Sequence, residues 1–537
     1  MHDLLVIGGG VNGCGIARDA AGRGLKVLLC EKGDLAGATS SASTKLFHGG
    51  LRYLEFLEVR LVREALVERE TLLRAMPHIS WPLRFVLPLH PDMRFETATP
   101  VSRMLGGVMP WTRGRRPDWV IRLGLALYDA LGGRAILPAT RKLDLRADPA
   151  GRPLKPRFRR AFEYSDCWVE DSRLVALNAR DAAERGATVL TRTRVAAARV
   201  VDGTWEARLE GEGPERKELG RVRARMIVNA AGPWVGETLS ATLGLASREG
   251  VRLVRGSHVV TRKLYDHDRC YFFQGSDGRI IFAIPYEGDF TLIGTTDVEH
   301  PDPSVPPVCT PEERDYLLAF ASEYFAEPVT AADVVWTYSG VRPLYDAGAA
   351  QDPAGASATA ATRDYTLTLD ASAGAPALHV FGGKITTYRR LAEAALEKVG
   401  AALGRPSRPW TAGVALPGGD FPVDGVGRLV EELRAAHPFL DAPWALRLVR
   451  AYGTEARAIL RGARSKADLW RDFGATLTEA EVRWLMEREW ARTAEDVAWR
   501  RSKLGLRLTP EQMATLDAWM ARAIDDARPV ATEAGAA

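Results

Sequence analysis

The chain has 537 residues, is 46% hydrophobic and 26% charged, and carries a formal net charge of +4. That length suits about two to four domains of ordinary globular composition. The small charge gives no reason to expect nucleic acid, and no apolar run is long enough to span a bilayer. The five cysteines, Cys14, Cys30, Cys167, Cys270 and Cys309, are an odd number with no CxxC pair, so free thiols are expected rather than a disulfide frame or a metal site.

Leu4-Leu5-Val6-Ile7 is a short apolar run of the buried parallel kind. It enters Gly8-Gly9-Gly10-Val11-Asn12-Gly13, a turn whose backbone can approach a pyrophosphate at the start of a helix beginning near Asn12. The strand opens at residue 3, which leaves no room for a signal peptide and predicts cytoplasmic residence. A second run, Val27-Leu28-Leu29-Cys30, ends at Glu31, about 20 residues on, where an acid can hydrogen-bond a ribose. The pattern predicts a β-α-β unit for an adenine dinucleotide, with NAD and FAD both open.

Ala38 to Tyr53 is rich in Ser and Gly, which lets backbone lie close to a flat ligand. A helix follows with Leu57, Leu61, Leu66, Leu72 and Leu73 on roughly one side, stopping before Pro77. Residues 77 to 150 are rich in Pro, Arg and Trp. Within them the apolar stretch Trp119 to Leu131, preceded by Arg113, Arg115 and Arg116, reads either as a buried helix or as one lying in a bilayer interface.

A second α/β portion, 160 to 240, ends in Met226-Ile227-Val228-Asn229 and then Ala230-Ala231-Gly232-Pro233-Trp234. Residues 250 to 340 read as strand-rich. Asp346 to Thr362 is Ala/Gly/Ser-rich and reads as a flexible loop. His379-Val380-Phe381 leads into Gly382-Gly383-Lys384 and a helix through Leu396, a second strand, glycine turn and helix. That helix start can supply amide donors and a positive dipole to a flavin ring. The glycine-centred elements together favour FAD, which needs protein along its whole length.

From about 410 the chain reads as helical. Thr478 with Glu481, and Thr509 with Gln512, fit capping boxes. Gly505 reads as a helix stop. Trp470, Trp484, Trp490 and Trp499 read as packed core, and a frayed tail is expected after Arg528.

Longer strings are more specific. Thr39-Ser40-Ser41, His48 to Glu55, Tyr164-Ser165-Asp166-Cys167-Trp168, Gly256-Ser257-His258, Gly294-Thr295-Thr296-Asp297, Tyr338 to Leu344, Thr362 to Tyr365 and Phe381 to Arg389 resemble the FAD-dependent (aerobic, respiratory) glycerol-3-phosphate dehydrogenase family. The resemblance runs from residue 3 to about 400 and more loosely beyond. It implies an α/β fold with a Rossmann-like FAD-binding domain of the glycine oxidase / D-amino acid oxidase type, a strand-rich substrate domain and a C-terminal helical cap. The FAD domain is expected over 1–75, 150–240 and 340–400, the substrate domain over 76–149 and 241–339, the cap over 401–528 and a disordered tail over 529–537. Residues 95 to 117 look longer than the corresponding family segment.

The implied reaction is oxidation of sn-glycerol 3-phosphate to dihydroxyacetone phosphate by hydride transfer to FAD, with electrons passed to membrane quinone. FAD is expected on Gly8, Gly10, Asn12, Gly13, Glu31, Lys32, Thr39, Ser40, Ser41, Thr44, Lys45, His48, Gly49, Gly50, Val195, Ala231, Gly232, Trp234, Gly382, Gly383, Lys384, Ile385 and Thr386. A phosphate dianion needs fixed cations, and Arg52, Arg342, Arg363 and Lys384 sit in the matched strings, with hydroxyls from Tyr53 and Thr386. The C2 hydroxyl must lose a proton, and His258 is the first choice as base. Arg342 can stabilise the developing oxygen charge. His48 is expected to orient its loop or touch the flavin.

The expected partners are the substrate, a membrane quinone and the inner face of the cell membrane as a peripheral surface, with a homodimer left open and no nucleic acid. Three rivals stand beside this reading: an oxidase that passes electrons to oxygen, an amine or amino-acid oxidase of the same fold, and a flavin-binding redox sensor. In the amino-acid oxidase Arg342 would hold a carboxylate; Arg363 and Lys384 argue for phosphate.

Overall fold

The computed structural model describes residues 1–90, 93, 99–108, 117–133, 135–213, 216–246, 249–275, 279–346 and 364–526. Arg363, Arg113, Arg115, Arg116, nearly all of the Ala/Gly/Ser-rich stretch and the tail after Arg528 lie outside the described residues. The chain forms two compact units, Met1–Val423 and Asp424–Ala537. The division falls later than the 401 read from sequence because the segment after helix Tyr388–Leu403 returns to the first unit. Trp410 there donates its indole N–H to Asp19 O at 3.1 Å.

In the first unit an eight-stranded sheet has His2–Ile7 near its centre, between Glu218–Asn229 and Val27–Cys30, all parallel. Ala377–Phe381 extends it in parallel beyond Glu218–Asn229, and Thr188–Leu190 beyond Val27–Cys30. Leu4, Leu5 and Val6 are buried on both faces, as a continuous apolar run requires. Helix Val11–Gly22 packs against helices Asp171–Glu184 and Tyr388–Leu403.

A ten-stranded sheet is built mainly from the expected strand-rich region, 250–340, whose last strand runs on to Asp346. It also takes in Ser80–Pro88 and Arg160–Val169, which pair antiparallel from Ser80↔Val169 to Pro88↔Ala161. Arg160–Val169 and the end of Val334–Asp346 fall in stretches read as FAD domain, yet their edges are hydrogen-bonded into this second sheet.

The expected leucine helix is Val59–Ala75; Leu57 precedes it and is exposed. The stretch from Trp119 is the helix Asp118–Leu131, with one buried and one exposed face. Ile121, Leu125 and Tyr128 are buried, while Trp119, Leu123 and Leu127 are exposed.

The second unit packs helices Val426–Ala436, Ala442–Tyr452, Glu479–Glu489 and Pro510–Asp526 with a short two-stranded ribbon. The Thr509–Gln512 box is present, with reciprocal bonds of 3.3 and 2.9 Å. Thr478 makes no capping bond; Glu481 is instead held by Arg447 and Tyr452, all at 2.7 Å. Gly505 does not end a helix. It lies inside the turn Leu504–Leu506, where the Trp499 ring leaves no room for a Cβ. Trp484 is core, but Trp470 is exposed.

Candidate active site

The register of the parallel sheet places its loops side by side. Ile7 is level with both Cys30 and Asn229, and Asn229 with His379. The turns that follow these strands therefore share one carboxyl edge, where open α/β sheets bind ligands. Gly8 has φ +114°, and a Cβ on it would sit 2.5 Å from Ala230 O. A Cβ on Gly13 would sit 1.9 Å from Gly8 O. Only glycine permits this close approach of turn and helix.

Glu31 accepts from the Gly9 amide at 2.6 Å and the Gly33 amide at 2.8 Å. Burial raises its carboxyl pKa, against the pull of those two donors. Asn12 Nδ2 donates to Gly382 O at 3.2 Å, which joins the first glycine turn to the second. Its Oδ1 is buried and has no hydrogen-bond partner among the described residues. The Lys32 ammonium lies 3.5 Å above the Trp234 ring, and burial lowers its pKa. The Ala231 amide donates to Asn229 Oδ1 at 3.4 Å, and Gly232 has φ +57°. The Val195 side chain is spent on the core with Trp205 and Leu209.

The serine-rich segment crosses from one sheet to the other. Ser40 Oγ accepts from the Val11 amide at 3.0 Å, and Thr39 Oγ1 donates to Val341 O at 2.5 Å. Ser41 Oγ donates to Ala38 O at 3.2 Å. Lys45, fully buried, donates to Asp171 Oδ1 at 2.8 Å and to Ser41 O at 3.1 Å. Asp171 also accepts from the amide and hydroxyl of Ser43, at 3.1 and 2.8 Å. Asp171 carries no motif; it is the counter-ion that the buried Lys45 ammonium requires.

His258 and Arg342 come from neighbouring strands, Gly250–Arg262 and Val334–Asp346. The pairs Val254↔Arg342, Gly256↔Gly340 and His258↔Tyr338 alternate by two, so these side chains share one face. Glycines make the room: a Cβ on Gly256 would meet Arg342 Nη2 at 2.2 Å, and one on Gly294 would meet His258 Cδ2 at 2.1 Å. His258 Nε2 is 2.9 Å from Thr44 Oγ1, and its ring stacks on Tyr338. Its Nδ1 is buried without a partner among the described residues. Burial, and then the charges of Arg342 and Lys45, hold the imidazole pKa well below 6.5. Arg342 pairs with Asp297 through Nη1 and donates from Nη2 to Thr295 Oγ1 at 3.0 Å. A neutral imidazole on the same strand face as an ion-paired guanidinium can take a proton while a neighbouring oxygen gains charge.

The second glycine turn faces the far end of the same loop. Gly382 and Gly383 have φ +70° and +99°. The Ile385–Thr387 turn precedes helix Tyr388–Leu403, so the expected helix start comes later than Gly383. Ile385 is half-buried against core residues. The His48 amide donates to Thr386 Oγ1 at 3.3 Å. The Lys384 ammonium sits 3.9 Å from the centre of the Tyr53 ring. Arg52 and Tyr53 are half-buried on the turn Leu51–Phe56, which follows Gly50 at φ +72°. Gly49 donates to Tyr128 OH at 2.7 Å, a contact no motif announced.

The residues fit FAD. The backbone approaches closely at Gly8 and Gly13, a buried amide oxygen waits at Asn12, and hydroxyls and glycines continue through two further turns.

A family described as FAD dependent oxidoreductase matches residues 3–389, and one described as C-terminal domain of alpha-glycerophosphate oxidase matches 409–524. The chain is 47% identical to D-erythritol 1-phosphate dehydrogenase of Brucella abortus over 517 residues, covering 96% of this chain and 97% of that protein. It is 47% identical to glycerol-3-phosphate dehydrogenase of Pseudomonas aeruginosa over 521 residues, covering 97% and 95%. The crystal structure of glycerol-3-phosphate dehydrogenase from Bacillus halodurans, complexed with FAD, is similar with a TM-score of 0.71 at 26% identity, covering 98% of this chain and 91% of that one. The protein therefore belongs to the FAD-dependent oxidoreductases, in the group of the glycerol-3-phosphate dehydrogenases.

Proposed function

We propose that the enzyme oxidises sn-glycerol 3-phosphate to dihydroxyacetone phosphate and delivers the electrons to a membrane quinone. Bound FAD supplies the hydride acceptor and the electron relay. The observation that carries this reading is the strand face shared by a neutral His258 and Arg342. A secondary alcohol that loses hydride must also lose its hydroxyl proton, and His258 is the base. Thr44 fixes the orientation of the ring through Nε2. Asp297 already neutralises part of Arg342, which suits the guanidinium to one developing oxygen charge. Arg52, Arg363 and Lys384, with Tyr53 and Thr386, hold the phosphate.

Toward FAD, the turn Gly8, Gly10, Asn12 and Gly13 cradles the pyrophosphate and Glu31 meets the ribose. Lys32, Ala231, Gly232 and Trp234 would flank the adenosine half, and Val195, whose side chain packs in the core, would do so only through its backbone. Thr39, Ser40, Ser41, Thr44, Lys45 and His48 to Gly50 line the flavin half together with Gly382 to Thr386.

A second substrate has its own support. A relative as similar as any reported above is named for D-erythritol 1-phosphate, which shares a phosphate end and a secondary hydroxyl with glycerol 3-phosphate. The deciding experiment is anaerobic addition of each compound to the flavin-loaded enzyme. Glycerol 3-phosphate is expected to bleach the flavin band with the higher second-order rate; glycerol and glycine are expected to leave it. A faster reaction with D-erythritol 1-phosphate reassigns the substrate, and no bleaching by either phosphate overturns the reading.

No helix among the described residues is long and apolar enough to cross a membrane. The reading is peripheral docking on the inner face of the membrane, through the exposed Trp119, Leu123 and Leu127 of one helix.

A further inference from the structure

The buried face of helix Asp118–Leu131 carries a group that the reaction does not use directly. Tyr128 OH accepts from the Gly49 amide at 2.7 Å and donates to Asp166 Oδ1 at 2.8 Å. Asp166, on strand Arg160–Val169, accepts on the same oxygen from Arg69 Nη1 at 2.6 Å. That nitrogen also donates to Ser165 O at 2.7 Å. Tyr128, Asp166 and Arg69 are each 3% exposed or less. Three separate elements, two helices and a strand, thus converge on one backbone N–H of the loop.

Burying a carboxylate, a guanidinium and a phenol is expensive, and apolar side chains would fill the same space at lower desolvation cost. What the polar chain adds is direction. The carboxylate polarises the phenolic O–H and makes its oxygen a stronger acceptor for the amide. The ring adds a wall: a Cβ on Gly49 would lie 2.4 Å from Leu66 and 2.7 Å from Tyr128 Cε2. Gly49 is held by shape from one side and by a hydrogen bond at its amide.

That loop leads straight to the reacting end of the site. One residue before Gly49, His48 bonds Thr386; beyond it, Gly50 takes φ +72° and Tyr53 lies beneath the Lys384 ammonium. We propose that Tyr128, held by Asp166 and Arg69, is a positioning residue that sets the His48–Gly50 segment against the flavin and the side-chain cations that hold the substrate phosphate. The proposal rests on the FAD roles assigned to His48, Gly49 and Gly50, and its deciding readouts, the flavin spectrum and potential and amide exchange, require neither substrate nor electron acceptor.

The experiment is Tyr128→Phe in the flavin-loaded enzyme, because Phe keeps the ring and removes only the bridging oxygen. Amide exchange in the peptide containing residues 48–50 is expected to quicken by roughly 3- to 10-fold, the loss of one ordinary hydrogen bond. The visible flavin bands and the flavin midpoint potential are expected to shift with it. Asp166→Asn should reproduce the spectral shift by weakening the polarisation. Leu125→Ala removes packing from the same helix face and should leave both the spectrum and the exchange of 48–50 as in the parent. In turnover, kcat should fall about tenfold while KM changes less. A folded Tyr128→Phe enzyme with parental spectrum, potential and exchange overturns the proposal. So does a Leu125→Ala enzyme that shows the same shifts, since packing alone would then explain them.

Discussion

His258 lies flat on Tyr338, with ring centroids 4.7 Å apart and planes only 10° from parallel. The stack and the 2.9 Å contact to Thr44 fix the imidazole in position and in tilt, so its proton chemistry is confined to one direction. A ring so held has little orientational freedom to lose when a substrate arrives.

His258→Ala is expected to slow anaerobic flavin reduction by roughly 100- to 10,000-fold, with a much smaller effect on substrate dissociation. Stopped-flow reduction over a range of glycerol 3-phosphate concentrations separates the two. Equal losses in affinity with an unchanged limiting rate would remove His258 as the base.

The pH profile should carry the mark of burial. The folded imidazole pKa lies well below 6.5, chiefly through burial. A base acts when unprotonated, so the reduction rate should hold its plateau below pH 6.5 instead of halving there. The stability effect has the opposite benefit: below pH 6.5 the unfolded chain takes up a proton that the folded ring refuses, so stability falls as pH falls. His258→Asn should lose less stability between pH 7 and 5 than the parent. Thermal melts across that range check this.

Arg342→Lys should lower kcat/KM for glycerol 3-phosphate by roughly 10- to 100-fold, the worth of one charge-assisted hydrogen bond. Lysine cannot keep the bond to Asp297 and the bond to Thr295 in a fixed fork. Most of the loss is expected in kcat, because the proposed role is at the reacting oxygen. Steady-state rates with a soluble dye as acceptor provide the measurement.

Lys45→Met strands Asp171 as a buried carboxylate, at a cost of about 3–5 kcal/mol. Asp171→Asn added to it should restore part of the loss, because the uncompensated charge is then gone. Denaturant unfolding of the flavin-loaded single and double variants gives the comparison. No recovery in the double variant would place the cost in packing instead.

Replacing Trp119, Leu123 and Leu127 together with Ser should reduce co-sedimentation with anionic lipid vesicles and leave turnover with a soluble dye close to that of the parent. All three project from the exposed side of their helix. Vesicle binding equal to that of the parent would move the docking surface elsewhere.

The parts of the site legible in the sequence are those that a short stretch of chain encodes alone. Gly8 to Gly13, with Glu31 after the next strand, announce themselves because turn, strand and helix follow one another directly. His258 and Arg342 were readable only within longer matched strings, and nothing in those strings shows that they share a strand face. That fact lies in the register between two strands. Asp171 and Asp166 were not legible as partners, since the bonds they make join residues 126 and 97 positions apart. Tyr128 sat inside a stretch read for hydrophobicity, where a phenol counts as one more apolar residue until its hydroxyl is seen between an amide and a carboxylate. The capping reading of Glu481 failed for the same reason: Arg447 offered a stronger partner than the local backbone.

The first strand pairs on one side with a strand that comes much later in the chain. His2–Ile7 needs Glu218–Asn229 at one edge, and that strand needs Ala377–Phe381 beyond it. Asn12, just beyond the first strand, donates its hydrogen bond to the carbonyl of Gly382. On a ribosome the glycine fingerprint emerges long before residue 382 and must wait for that segment before its surroundings exist. Closing a contact across 370 residues is slow compared with local helix formation. The glycine turn is thus made long before the segments that complete its surroundings, and truncation anywhere before residue 377 leaves the parallel sheet without a strand.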